Sequence, residues 1–307
     1  MGTTFQFAWE VELIKWCQEY IPSFIIEVLN IISYVGDTLI LVSILAFIYL
    51  CYDKRIGRKA MANILMSFMI AGEIKNIFKR RRPYFDNVDI ECLKPVEKDY
   101  DIYDINKQGF SFPSMHSSNV LTIMGTTYVS LKKNILLVLT ILFSLIVGIS
   151  RFVLGCHYPT DVLVGWTLGT LTVIFGSKLF DKLSDIQLYM VELAIGFIGC
   201  LFCTSHDFYS MLGITIGFIF TDILEKKYTN FKNTRNPIKV IARLLLSGAL
   251  FLLVYESSKL LLPSEIVELN IVTVIRYAVS SFLALGIAPM IYKYNILKLD
   301  DKTKEDM

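Results

Sequence analysis

Three short stretches of the sequence carry side chains suited to acid–base or phosphoryl chemistry. The first, FPSMH, places Ser114 and His116 directly after a proline. Because Pro113 cannot continue a helix and serine is a favoured N-cap, we expect a helix to begin here. The first backbone N–H groups of such a helix are unpaired and carry the positive end of its dipole, so they could bind an anion. A polar helix start that faces water explains the same residues equally well.

The second stretch, EIKNIFKRRRPY, is strongly basic. Lys75 and Arg82 are seven residues apart, about two helical turns, so both can lie on one face roughly 10 Å apart along the axis. Pro83 then ends the helix. Long basic side chains near a helix end can also reach towards lipid headgroups. That simpler interpretation suits Lys79, Arg80 and Arg81.

The third stretch, SRFVLGCHYPTD, combines Arg151, His157 and Asp161. Asp161 follows His157 by four residues, close enough to accept a hydrogen bond from one imidazole nitrogen. Such a bond fixes the tautomer and leaves the other nitrogen free to act as a nucleophile. Helix caps produce the same spacing, so the pattern alone does not establish a catalytic pair.

The composition indicates that these residues lie in a membrane protein. The chain is 54% hydrophobic and 19% charged, with a mean hydropathy of +0.54, whereas soluble domains are about 25% charged. Apolar segments long enough to cross a ~30 Å hydrocarbon core recur along the chain. We predict an all-α, polytopic membrane helix bundle of about nine transmembrane helices, at 30–52, 59–79, 114–131, 134–151, 160–181, 186–203, 208–224, 237–260 and 270–293. Counts of eight or ten remain open.

The distribution of basic residues predicts the orientation of these helices. Lysine and arginine are enriched in cytoplasmic connections, and here they concentrate in alternate connections, at 53–58, 132–133, 178–182, 226–239 and after 293. The connections 204–207 and 261–269 have none, and only 79–113 departs from the pattern, being basic at its start. We therefore predict an extracytoplasmic N-terminus and a cytoplasmic C-terminus. All three stretches then lie at the extracytoplasmic face.

The same reasoning divides the chain into four regions. Residues 1–29 would contain an amphipathic helix lying in the membrane interface, at 5–20, and the start of the first span. Residues 30–184 would form the catalytic bundle and 185–293 the additional helices. Residues 294–307 would be a cytoplasmic tail.

Several smaller features limit the function classes. The net charge of +2 is too small to suggest a nucleic-acid partner, and no metal-ligand spacing is present. Cys92 and Cys156 both fall on the extracytoplasmic side, so a disulfide between them is open. Polar residues inside spans call for partners, and we predict an ion pair between Glu256 and Arg276, with a role in substrate binding as the alternative.

In order, the three stretches read K-x6-R-P, P-S-x-H and S-R-x5-H-x3-D. This resembles the three-part signature of the type 2 phosphatidic acid phosphatase superfamily. Its members include lipid phosphate phosphatases, undecaprenyl diphosphate phosphatases, sphingosine phosphate phosphatases, glucose-6-phosphatases and vanadium haloperoxidases. The resemblance covers residues 30–181 and rests on Lys75, Arg82, Pro83, Pro113, Ser114, His116, Ser150, Arg151, His157 and Asp161.

The resemblance implies a role for each position. His157 would attack phosphorus and form a phosphohistidine, and Asp161 would orient it. His116 would protonate the leaving oxygen and then activate water. The phosphoryl oxygens would be bound by Lys75, Arg82, Ser114, Met115 and Arg151, without a metal or other cofactor. Met115 replaces the usual glycine of the family, which makes the phosphate pocket more crowded and more apolar.

The resemblance also narrows the substrate. We expect a lipid phosphate monoester or a polyprenyl diphosphate, reached from the surrounding membrane lipids. The helix count is similar to that of glucose-6-phosphatase and sphingosine phosphate phosphatase members, so a small soluble ester such as glucose 6-phosphate is the alternative. A haloperoxidase would be soluble, and a non-catalytic transporter or lipid-binding protein would be expected to lose His116 or His157, which this chain keeps.

Overall fold

The computed structural model describes residues 2–294. These residues form helices and no β-sheet, apart from an isolated parallel bridge between Thr3 and Arg80, so the predicted all-α class is confirmed. The helices are α1 (Ala8–Tyr20), α2 (Ser23–Ser33), α3 (Thr38–Phe47), α4 (Lys54–Phe78), α5 (Pro83–Asp86), α6 (Ile105–Gln108), α7 (Met115–Leu131), α8 (Asn134–Val153), α9 (Pro159–Leu171), α10 (Ser177–Lys182), α11 (Asp185–Gly199), α12 (His206–Leu224), α13 (Pro237–Leu261), α14 (Ser264–Val267), α15 (Asn270–Phe282) and α16 (Ala288–Lys293).

Only part of the predicted set of spans is confirmed. Within the described residues, five helices are long and apolar enough to cross a membrane, namely Asn134–Val153, Pro159–Lys182, His206–Thr229, Pro237–Leu261 and Asn270–Lys293. A sixth is added if Ser23–Gly36 and Thr38–Tyr52, which meet at a 49° bend, form one broken span. The protein is therefore an integral membrane protein, whereas nine spans and their orientation stay predictions.

The remaining three predicted spans are helices, but each has a reason to fall short. Helices α7 and α11 have 17 and 15 residues, fewer than the ~20 that a straight span needs. Helix α4 has 25 residues but carries polar side chains along its length. Its Asn63 amide donates to Thr126 Oγ1 (2.9 Å) and Ser177 Oγ (3.0 Å). Because α7, α11 and α12 pack around it, α4 does not need an apolar surface.

Helix α1 has the two faces that its sequence predicts. Val11, Ile14 and Cys17 are buried against the rest of the protein, whereas Trp9 and Trp16 are exposed. The side chain of Gln18 donates to the backbone oxygen of Val153 (3.2 Å), which belongs to the third stretch. The helix therefore packs on the bundle through one face, and its position in the membrane interface stays a prediction.

The C-terminal helices are joined to α4 by charged contacts at one end. Asp222 accepts from Arg58 Nη2 at 2.8 Å and pairs with Lys226 at 3.0 Å. The predicted tail, 294–307, lies outside the described residues except for Tyr294.

The predicted ion pair between Glu256 and Arg276 is wrong. Arg276 instead donates to Ser258 Oγ at 2.6 Å and to the backbone oxygen of Tyr255 at 3.1 Å. Glu256 is exposed and pairs with Lys259, one turn further along its own helix, at 3.4 Å. The error arose because only the depth of the two residues was predicted, and Glu256 lies on a face of α13 that does not meet α15.

Candidate active site

The three chemically suited stretches meet at one end of the bundle. They come from the end of α4, the start of α7 and the turn between α8 and α9. Arg82 Nη1 donates to the backbone oxygen of Cys156 (2.9 Å) and lies 3.5 Å from His157 Nε2. The backbone N–H of Ser114 donates to the backbone oxygen of Asp161 (2.9 Å). Residues up to 86 positions apart in sequence are thus held in one site by backbone and side-chain hydrogen bonds.

His157 and Asp161 form a buried pair. His157 Nδ1 lies 3.4 Å from Asp161 Oδ2, and this oxygen also accepts the backbone N–H of Tyr158 at 2.9 Å. The contact with Asp161 turns Nε2 towards Arg82. The pair is only 3% and 0% exposed, so its geometry is fixed by the surrounding helices.

The surroundings of His157, which lies in the turn between α8 and α9, also determine its charge. Burial lowers the pKa of this histidine well below its usual value, and the positive charges of the surrounding Arg82, Lys75 and Arg151 lower it further. A neutral imidazole carries a free lone pair on the nitrogen that faces Arg82. The site therefore holds a neutral imidazole, which is able to act as a nucleophile, beside cations that can bind the oxygens of an anion.

The three cations differ in what already holds them. Arg82 Nε donates to the backbone oxygens of Gln108 (2.9 Å) and Gly109 (3.2 Å), and the Lys75 ammonium donates to that of Phe110. Arg151 is 2% exposed, yet its Nε and Nη1 are buried without a hydrogen-bond partner among the described residues. A buried guanidinium with unused donors is costly unless an anion completes it.

Ser114 and Met115 form the helix start that the sequence predicts. Ser114 is the N-cap of α7, and its Oγ accepts from Ser117 Oγ (2.9 Å), which leaves its own hydroxyl proton free to donate. Met115 is the first helical residue and its φ is negative, as in any helix. Its side chain packs against the hydrophobic core. An ordinary helical backbone explains why methionine can occupy this position.

His116 lies in the first turn of α7, where its ring contacts a residue outside the three stretches. His116 Nε2 is 2.8 Å from Asp37 Oδ1. Asp37 stands between two helices of the first apolar segment, and no other charged residue occurs within 30–52. A lone carboxylate inside an apolar segment is itself a signal of function, and it could have found this residue.

Arg80 and Glu10 were also missed. Arg80 is completely buried, so the expectation that it reaches towards lipid is wrong. Its guanidinium pairs with Asp161 (2.6 Å) and Glu10 (2.6 Å), and Glu10 also accepts the backbone N–H of Thr160 (3.1 Å). Glu10 of α1 therefore holds Arg80 in place, and Arg80 in turn holds the Asp161 carboxylate that faces His157.

The disulfide that the sequence left open between Cys92 and Cys156 is not formed. Cys92 and Cys156 are both free thiols, and Cys156 Sγ instead lies 3.1 Å from the backbone oxygen of Lys94. The turn before His157 needs glycine at position 155, where φ is +72° and the backbone of Glu91 leaves no room for a side chain. Among residues 2–294, no three His, Cys, Asp or Glu side chains are grouped so that they could hold a metal ion.

Comparison with known proteins agrees with this geometry. Residues 38–185 match the model of the PAP2 superfamily, and residues 209–299 match that of the PAP2 superfamily phosphatase, transmembrane extension. The first match contains all eight residues assigned to the site, and the second covers most of α12 and the helices that follow it. The first match ends where α11 begins, and it starts one residue after Asp37. No solved structure matches.

Two curated relatives share parts of the chain. Phosphatidylglycerophosphatase B of Bacillus subtilis is 34% identical over 87 residues, which is 25% of this chain and 42% of the relative. Undecaprenyl-diphosphatase of Sulfolobus acidocaldarius is 32% identical over 117 residues, 37% of this chain and 52% of the relative. The chain thus spans about half the length of the curated relatives it matches.

Proposed function

The chain belongs to the PAP2 superfamily, and on this premise we propose that it is an integral-membrane phosphatase that acts through a phosphohistidine on His157. The observation that carries the proposal is the buried Arg151 guanidinium, whose Nε and Nη1 have no partner among the described residues. The backbone oxygen of Arg151 accepts the N–H of His157 (3.2 Å), and the charge of Arg151, like those of Lys75 and Arg82, lowers the pKa of His157. A phosphoryl group would supply the missing acceptors.

The proposed reaction has two steps. The Nε2 lone pair of His157 attacks phosphorus, and the bond to the leaving oxygen breaks while that oxygen takes a proton from His116. In the second step His116 takes a proton from water, the resulting hydroxide attacks phosphorus, and the P–N bond breaks to release phosphate. Asp161 stabilises the charge that develops on His157.

The cations would perform the electrostatic work. Lys75, Arg82 and Arg151 neutralise the phosphoryl oxygens, and the Ser114 hydroxyl with the N–H groups from Met115 onward donates to them. Three protein cations replace the metal ions that stabilise phosphoryl transfer in kinases. We therefore propose a reaction that needs neither metal nor cofactor.

We propose a lipid phosphate monoester or a polyprenyl diphosphate as the substrate. The supporting observations are the names of the two relatives, both of which refer to phosphorylated lipids, and the membrane-spanning helices beside the site. A substrate of this kind would enter sideways from the lipid. The site would lie on the extracytoplasmic face, as the distribution of basic residues predicts.

The test is phosphate release by the detergent-purified protein in excess EDTA. Phosphatidylglycerol phosphate, phosphatidic acid, undecaprenyl diphosphate and glucose 6-phosphate would be offered in parallel. We expect release from a lipid substrate that disappears in His157→Ala, because the nucleophile is lost. His206→Ala is the matched control, since His206 is exposed at the start of α12. Normal release by a folded His157→Ala would contradict the mechanism, and preference for glucose 6-phosphate would replace the substrate class.

A further inference from the structure

Asp37 lies where a helix cap would be expected but does not act as one. It is the N-cap residue of α3, a position at which aspartate normally accepts from the first backbone N–H groups. Its side chain makes no such bond. Instead its Oδ1 lies 2.8 Å from His116 Nε2. The carboxylate thus contacts the imidazole of another helix and makes no hydrogen bond to the first backbone N–H groups of α3.

The surroundings of Asp37 hold it in this position. Lys94 Nζ, from the segment between α5 and α6, lies 3.5 Å from the same oxygen and donates to Ser33 Oγ at 2.6 Å. Lys94 is only 8% exposed, so this support is rigid. The bend itself approaches the ring closely, because a Cβ added at Gly36 would lie 2.8 Å from His116 Cδ2.

We propose that Asp37 is a positioning residue that sets the tautomer and charge of His116. A carboxylate only accepts hydrogen bonds, so His116 Nε2 must carry a proton towards it. The other nitrogen, Nδ1, is then the one that exchanges a proton with the substrate. The negative charge of Asp37 also stabilises the protonated imidazole against the positive charges of Lys94 and Arg151, the two cations that act on the same pair.

This inference rests on the proposed function and adds an atom to it. In the first step Nδ1–H protonates the leaving oxygen as its bond to phosphorus breaks, and Nε2–H stays with Asp37. In the second step the Nδ1 lone pair takes a proton from water. Protons therefore enter and leave through one nitrogen, and Asp37 itself is never protonated.

The test compares two phosphate monoesters in the same preparation of each variant. The alcohol of a long-chain alkyl phosphate leaves only when its oxygen is protonated. The leaving group of 4-nitrophenyl phosphate is 4-nitrophenolate, which departs readily as the anion. The quantity measured is kcat/KM, which reports the first step, and its ratio between the two substrates does not depend on the fraction of folded protein.

We expect Asp37→Asn to lower kcat/KM for the alkyl phosphate on the order of 100-fold, the lower end for general acid catalysis, and for the aryl phosphate by less than about tenfold. His116→Ala should show the same selectivity, and Asp37→Glu should recover part of the loss. Ser43→Ala, at an exposed position of α3 that contacts neither Asp37 nor His116, should leave the ratio unchanged.

The outcomes separate the two proposals. An equal loss for both esters in Asp37→Asn, with a selective loss in His116→Ala, would mean that Asp37 only supports the fold and would overturn this inference alone. An equal loss in His116→Ala would remove His116 as the acid, and with it the reason to position it. No phosphate release by the unmodified protein from any ester would reject the proposed function itself.

Discussion

At the scale of single residues, two cations of the site have opposite effects on the stability of the fold. Arg82 donates to the backbone oxygens of Gln108, Gly109 and Cys156, so it supports the fold as well as the site. Arg151 has two buried donor atoms without a partner among the described residues. An unsatisfied buried group costs about 1–3 kcal/mol, and more when it is charged. Arg151 is therefore maintained at the expense of stability.

This difference predicts contrasting effects of one substitution. Arg151→Met should raise the unfolding temperature in detergent, because an apolar chain of similar length replaces an incompletely paired charge, and it should lower kcat/KM at least about 100-fold. Arg82→Met should lower both, since three backbone oxygens lose their donor. Thermal unfolding and phosphate release on both variants provide the measurement. A lower unfolding temperature for Arg151→Met would show that its donors are satisfied in the resting protein.

At the scale of secondary-structure elements, helix α1 is part of the site rather than an accessory. Its Glu10 is completely buried and pairs with Arg80, which in turn pairs with Asp161. The backbone N–H of Thr160, in the first turn of α9, also donates to Glu10. Removing one member of a buried ionic network leaves an uncompensated charge, which costs about 3–5 kcal/mol. Helix α1 therefore fixes the orientation of the carboxylate that faces His157.

We predict that Glu10→Ala destabilises the protein by about 3 kcal/mol and lowers kcat more than it raises KM. The reason is that Arg80, which pairs with Asp161, is then no longer held by Glu10. Glu12→Ala is the control, since Glu12 is exposed on the same helix and should change neither quantity. Chemical unfolding and steady-state kinetics measure the two effects. A Glu10→Ala variant as stable and active as Glu12→Ala would separate α1 from the site.

At the scale of the whole molecule, the site lies at the end of α4, and the contact of α4 with the C-terminal helices lies at its start. Ends of α4, α7, α8 and α9 meet at the site, whereas Lys132 and Lys133 follow the opposite end of α7. The Arg58–Asp222 contact joins the C-terminal helices at the start of α4, also away from the site. The predicted topology makes the site end extracytoplasmic and the basic end cytoplasmic.

Sidedness can be measured by labelling introduced cysteines with a membrane-impermeant thiol reagent. The background protein would have its six cysteines replaced, and its phosphate release would be checked first. We expect Glu265→Cys, in the connection after α13, to react in intact cells, and Asn230→Cys, in the connection after α12, to react only after lysis. Both positions are exposed, so lysed cells control for reactivity. The opposite labelling pattern would place the site in the cytoplasm.

The sequence predicted which stretches meet better than it predicted the residues that hold those stretches in place. The helix start at Ser114 follows from proline and capping rules, which act locally, and the meeting of the three stretches at one end follows from the alternation of the predicted spans. Asp37, Glu10 and Arg80 could not be assigned in this way, because their partners lie 70 to 81 residues away. The number of spans stays a prediction for a related reason, since α4 is covered by other helices and its composition need not be apolar.

The most direct test of the central claim is detection of the covalent intermediate. The protein would be mixed with substrate, quenched in alkali, in which phosphohistidine survives, and digested for mass spectrometry. We predict one phosphoryl group on the peptide that contains His157, accumulating in His116→Ala with 4-nitrophenyl phosphate, because water activation is then slow. It should be absent in His157→Ala. Phosphate release without any phosphorylated His157, or a phosphoryl group on another residue, would contradict the account.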